Sequence, residues 1–95
     1  MQINSIVCPE HIEEKLAKKH RVTVREAQQV LLNQPRVRFA ETGHTEGEDV
    51  YSAFGQTTSG RYLSIFFIYK PATQTAIIIS TRTMSDQERK TYGHK

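Results

Sequence analysis

The sequence predicts an α+β domain: a four- to five-stranded, mainly antiparallel sheet with helices packed on one face, in the order β-α-α-β-β-β-β-α. Three observations lead there. Apolar residues recur at helical spacing in the first third of the chain and at spacing two from Pro35 onward. The segments between the later apolar runs are short enough for hairpins and too short for crossovers. Helical patterns are grouped at the ends of the chain rather than alternating with strands.

"INSIV" (3–7) reads as a short strand. Pro9 then opens "PEHIEEKLAKKH" as a helix, because its fixed φ suits a first helical turn. Ile12 and Leu16 give this helix a narrow apolar stripe, and Glu14 pairs with Lys18 on its polar face. "TVRE" (23–26) has the form of a capping box, in which Thr23 accepts from the Glu26 amide while the Glu26 side chain reaches back to the Thr23 amide. Ala27, Val30 and Leu31 form the buried stripe of the helix that follows, which ends at "NQP" because Pro35 disfavours helical geometry at the residue before it.

Four strands are expected next. "RVRFA" alternates, "DVYSAFG" is strand-like, and "RYLSIFFIY" and "TAIIIS" are dense in β-branched and aromatic residues. "GQTTSG" (55–60) is a hairpin turn, and "KPATQ" has hairpin length. "SDQE" (85–88) is a second capping box, opening a short helix to about Tyr92 with Gly93 as its C′ residue. Strand parity puts Leu63, Ile65 and Phe67 on the helix-covered face and leaves Tyr62, Ser64, Phe66 and Ile68 on the other. An open face carrying Phe66, Ile68 and Ile78 exposes more apolar surface than a monomer usually tolerates, so it is either a partner surface or covered by other segments of the chain.

The composition bounds the function. Ninety-five residues make one domain, 1–95, with room for a single core. With 37% hydrophobic and 24% charged residues the chain is an ordinary globule, and its net charge of +3 allows nucleic acid or an acidic partner without requiring either. Cys8 is the only cysteine, which excludes an internal disulfide and suits a reducing compartment. The N-terminal stretch lacks signal-peptide character and no apolar run approaches the ~20 residues of a membrane span, so a cytoplasmic location is expected. There is no P-loop, dinucleotide fingerprint or nucleophile elbow, and His11, His20, His44 and His94 are scattered without metal-ligand spacing. Neither a metal nor another cofactor is expected.

What remains is a set of charged residues at element ends: Lys19 and His20 closing the first helix, Glu48 before a strand, Arg61 opening one and Arg82 closing the last. Singly each has an ordinary explanation. Cations near a helix C-terminus gain about 0.3–1 kcal/mol from its dipole, and arginines at strand ends solubilise them.

Taken together, "KKHRVTVREAQQVL", "TEGEDVYSAFGQTTSGRYL" and "IIISTRTMSDQERKTY" resemble, in order and spacing, the BrnT-type toxins of bacterial type II toxin-antitoxin pairs. The shared elements are Lys-His before V-x-x-x-E-A, Gly-Glu before a strand, Gly-Arg opening the next, and an arginine after I-I-S followed by E-R-x-x-Y. The resemblance runs from about Pro9 to Tyr92. It departs where the family usually has Trp-Asp (here Cys8-Pro9), Asn (Leu16), Gly (Arg21), Ala (Thr81) and a basic residue (Asp49).

This resemblance implies a RelE-like fold and a small metal-independent ribonuclease, neutralised by a ribbon-helix-helix antitoxin through which the pair would bind operator DNA. Cutting RNA without metal requires a base for the ribose 2′-OH, cations for the charge gathering on phosphorus, and an acid for the leaving 5′-oxygen. Arg61 and Arg82 are the expected cationic clamp, since guanidinium stays charged and binds bidentately. His20 is the expected proton-transfer group, imidazole titrating near neutral pH. Glu48 is expected as base or as orienter of His20, Lys19 as a phosphate contact, and Tyr92 with Arg89 as further RNA contacts, Tyr92 by stacking or acid support. Asp49 and the missing Trp-Asp keep a second reading open, a catalytically weak or inactive module that binds antitoxin or RNA.

Overall fold

The computed structural model describes residues 1–43 and 47–93; His44 and His94 lie outside them. Five strands form one mixed sheet in the order β1-β5-β4-β3-β2, with β1 at Ser5–Val7, β2 at Arg36–Glu41, β3 at Val50–Gln56, β4 at Tyr62–Lys70 and β5 at Thr75–Thr83. β2 to β5 make an antiparallel meander, as the hairpin-length connections require, and β1 adds to its edge parallel to β5.

The first helix is a single stem with two geometries, α1 at Glu10–Lys15 running into a π-helical turn at Leu16–His20. Arg21 stops it in the left-handed conformation (φ 52°, ψ 43°), and the amides of Arg21 and Val22 both donate to the Leu16 carbonyl. A non-glycine side chain pays about 1 kcal/mol or more for that conformation, so Arg21 sits where glycine would cost less. α2, at Val24–Leu32, starts with the expected capping box: the Glu26 amide donates to Thr23 Oγ1 (3.1 Å) and the Thr23 amide to Glu26 Oε1 (3.0 Å).

The core lies between this helical layer and the sheet. Leu16, Val22, Ala27, Val30 and Leu31 meet Ala53, Leu63, Ile65, Phe67, Ala76 and Ile78. Each fully buried large side chain there is worth roughly 1.5–3 kcal/mol of transfer free energy. α2 approaches β3 closely at Gly55, where an added Cβ would stand 2.7 Å from Val30 Cγ1.

Two expectations need correction. Ile78 is not on the open face; it is fully buried in the core opposite Phe67. Unbroken alternation would have grouped it with Ser80 and Arg82, but β5 carries one extra residue at Ile79. Ser80 pairs with Phe66 and Ile78 with Phe67, so the parity flips and Ile77 takes the place beside Ile68. The helices, moreover, do not all share one face. α3, at Asp86–Gly93, contacts Arg36, Tyr62 and Arg82, with Ser85 and Glu88 beside Phe54. In the sheet register Tyr62, Phe54 and Arg82 belong to the face opposite the core, so α3 crosses over and covers one end of it.

Candidate active site

Arg61 and Arg82 stand near the end of the sheet where β4 begins and β5 stops, and each is held by a glutamate that also starts a helix. The β3–β4 turn aims Arg61. Gly60 takes φ 96°, which glycine supplies without strain, and the Arg61 amide and carbonyl bond Thr57 Oγ1 and the Thr57 amide. Its Nη1 then donates to Glu26 Oε2 (2.9 Å), to Glu26 Oε1 (3.1 Å) and to the carbonyl of Arg21 (2.8 Å), the residue after His20. All its side-chain hydrogen bonds to described residues come from this one nitrogen, which leaves Nε and Nη2 for a ligand. Burial would raise the Glu26 carboxyl, but the Thr23 amide and the Arg61 guanidinium outweigh it and hold it below the usual carboxylate range.

Arg82 is engaged differently. Both terminal nitrogens fork onto Glu88, Nη1 to Oε1 at 2.7 Å and Nη2 to Oε2 at 2.8 Å, and the guanidinium lies 5.7 Å from the centre of the Phe66 ring. Glu88 simultaneously closes the second capping box, accepting from the Ser85 amide (2.9 Å) while its own amide donates to Ser85 Oγ (3.1 Å). The hydrogen bonds from Arg82 push the Glu88 carboxyl down to about 2, and Arg82 is raised in return.

The two arginines therefore work on opposite faces, Arg61 toward α2 and the π-helical turn, Arg82 toward α3. Other expected residues gather on α3, around Tyr62 at the same end of the sheet. Arg89 places its guanidinium 4.4 Å from the Tyr62 ring centre, and Tyr92 packs edge-on against Tyr62 at 6.1 Å. Two adjoining cavities open there. One of about 350 Å³ is lined by Arg61, Tyr62, Asp86 and Arg89 among others; its neighbour, about 460 Å³, is lined by Tyr62, Asp86, Arg89, Lys90, Tyr92 and Gly93. Arg82 lines neither. Half-buried His20 and exposed Lys19 end the helix on the Arg61 side, tied to it through the Arg21 carbonyl.

Glu48 does not belong to this group. Its Oε1 accepts from Lys70 Nζ at 2.7 Å, and Lys70 ends the strand that Arg61 precedes, about 30 Å of extended chain away. That distance is comparable to the molecule's longest extent, 33 Å. Asp49 lies at the same far end, where its carboxylate accepts from the Gly43 amide (3.2 Å); it closes a loop rather than crowding a phosphate. Cys8 packs against the core, and burial, followed by the Glu13 carboxylate, raises its thiol.

Sequence reasoning missed the second role of Glu26 and Glu88. Both were visible as the last residue of a capping box, but neither the arginine 35 positions beyond Glu26 nor the one six positions before Glu88 belongs to that local motif. Tyr62 and Asp86 were missed as cavity residues for the same reason. Among the described residues no group of three or more His, Cys, Asp or Glu is placed to hold a metal, and no helix is long and apolar enough to cross a membrane.

Residues 10–88 match the family model described as "Ribonuclease toxin, BrnT, of type II toxin-antitoxin system". No curated protein matches the chain closely enough to be taken as a relative.

Proposed function

Because the chain belongs to the BrnT ribonuclease toxins of type II toxin-antitoxin systems, a family membership that implies an antitoxin partner, we propose that it cuts RNA at the Arg61 end of the sheet without metal. The observation that carries this reading is the half-used guanidinium of Arg61, charged, aimed by Glu26 and lining a cavity of about 350 Å³. In the proposed step the ribose 2′-oxygen attacks the adjacent phosphorus and the bond from phosphorus to the 5′-oxygen breaks, giving a 2′,3′-cyclic phosphate. His20 takes the 2′-OH proton, and the leaving 5′-oxygen gains one from water or from Tyr92. Arg61 stabilises the charge that builds on the phosphoryl oxygens.

Lys19 and Arg89 bind flanking phosphates, and Tyr92 supports a base by stacking. Arg82 acts at one remove, by holding α3 through Glu88. Glu48 has no part, since its carboxylate is engaged at the far end of β4.

The antitoxin in this reading is a ribbon-helix-helix protein that lies on the part of the sheet face beyond α3, where Phe66 and Ile68 are joined by Ile77 and by Val7, 44% exposed. Through that antitoxin the pair binds operator DNA.

The test is partner-free protein incubated with a mixed RNA in the presence of EDTA, the products being assayed for 2′,3′-cyclic phosphate ends. Cleavage that survives chelation and is lost in His20→Ala is expected. RNA left intact by folded wild-type protein would remove the proposal.

A further inference from the structure

We propose that the larger cavity, which adjoins the one Arg61 lines, is a guanine subsite, in which the Asp86 carboxylate reads the base of a nucleotide flanking the scissile phosphate. The inference rests on the ribonuclease reading above and adds a specificity to it. Four observations point the same way. The cavity, about 460 Å³, falls within the roughly 300–1,000 Å³ of small-molecule sites. Its walls include two tyrosines and an arginine, flat groups on which a base stacks.

The third observation is the carboxylate. Asp86 lines both cavities, yet among the described residues no side-chain hydrogen bond or ion pair engages it, in contrast to Glu88 two residues further along the same helix. An ionised carboxylate is acceptor-only. Of the four RNA bases, guanine alone presents two adjacent donors on its Watson–Crick edge, N1–H and the N2 amino group, which match the two oxygens of one carboxylate. Adenine would set its N1 lone pair against the negative charge.

The fourth observation is adjacency. The cavities share Tyr62, Asp86 and Arg89, so a base in the larger one leaves its own phosphate within the neighbouring space that Arg61 lines. Stacking on Tyr92 supplies sequence-tolerant binding energy, and Asp86 supplies the discrimination. A favourable first-turn interaction of Asp86 with the α3 dipole is compatible with this role, because it does not consume the acceptor capacity of the carboxylate.

The test is calorimetric titration of the full chain, in a His20→Ala background to permit expression, with 5′-GMP, 5′-AMP and 5′-IMP. GMP is expected to bind about tenfold more tightly than AMP, with IMP, which lacks the N2 amino group, between them. Asp86→Ala should bring GMP and AMP to equal affinity while retaining phosphate-dependent binding, its fold checked by circular dichroism. Equal affinities for GMP and AMP in the parent, no measurable binding of either, or a preference that survives Asp86→Ala would each overturn the subsite. RNA cleavage by wild-type protein without regard to guanine would likewise overturn it and leave the nuclease reading standing. Discriminating GMP binding in a wild-type chain that cleaves no RNA would do the reverse.

Discussion

Arg61 and Arg82 are held by the same local device and end up with different capacities. In each case the third residue of a helix is a glutamate that caps its own first turn and grips a strand-end guanidinium. Glu26 takes a single nitrogen of Arg61 and shares it with the Arg21 carbonyl; Glu88 takes both terminal nitrogens of Arg82 in a fork. Arg61 thereby keeps Nη2 as well as Nε beside a cavity, whereas both terminal nitrogens of Arg82 are engaged in fastening α3. Residue type and position alone made the two arginines equivalent. What separates them is how many of their five donors the protein already uses.

Substitutions sharpen that contrast. Replacing Arg61 with alanine should lower the rate of RNA cleavage about 100-fold, the order of effect seen when one charge-stabilising donor is removed. Its unfolding free energy should move by under about 1 kcal/mol, as for an ordinary surface pair. Single-turnover cleavage set beside urea unfolding checks both, and a large stability loss with unchanged cleavage would reverse the assignment of the two arginines.

The fork at Arg82 should instead register in acid. Glu88 is depressed to about 2 from an ordinary 4.5, so the stability it contributes is present above about pH 5 and lost as the pH falls toward 2. Linkage alone gives roughly 3 kcal/mol. With the Arg82 side chain 38% exposed, solvent screening brings the expected loss to about 1–2 kcal/mol. Urea unfolding at pH 5 and pH 2.5 measures it, and Glu88→Gln should remove this part of the acid sensitivity.

Each face of the sheet also buries one hydroxyl without a partner among the described residues, Thr81 Oγ1 toward the helical layer and Ser64 Oγ under the α3 side. Thr81→Val should stabilise the protein by about 1 kcal/mol, since it removes an unsatisfied polar atom and nearly keeps the shape. The family resemblance places alanine at this position. The smallest effect is expected at Arg21→Gly, a gain of about 0.5 kcal/mol after the relief of left-handed strain is offset by added chain entropy. Thermal melting at constant pH resolves both, and a loss at Arg21→Gly would mean that its side chain does more than its carbonyl.

What was legible in the sequence was mostly local. Thr23 with Glu26 and Ser85 with Glu88 announced two helix starts within four residues each, and both formed as read. Gly60 before Arg61 signalled a turn, and alternation in 62–70 sorted Leu63, Ile65 and Phe67 onto the core face correctly. The failures were all long-range or single-residue. Nothing within 75–83 marks Ile79 as the extra residue, because its neighbours are equally β-branched, so Ile78 was assigned to the wrong face. Glu48 was grouped with His20 because strand order fixes neither which end of a strand a loop meets nor the partner waiting there, here Lys70. The crossing of α3 to the second face depends on Arg82 and Arg36 reaching it across the sheet, contacts that leave no periodic signal.

β5 is thus a strand read in two frames. Up to Ile78 its even-numbered residues fill the interior, and beyond Ile79 the odd-numbered Thr81 and Thr83 pair on that side. Deleting Ile79 would merge the frames and force a choice between two damaging outcomes, swinging the guanidinium of Arg82 inward or turning Ala76 and Ile78 out to water. This segment should accordingly tolerate exchanges of side chain far better than any change in its length.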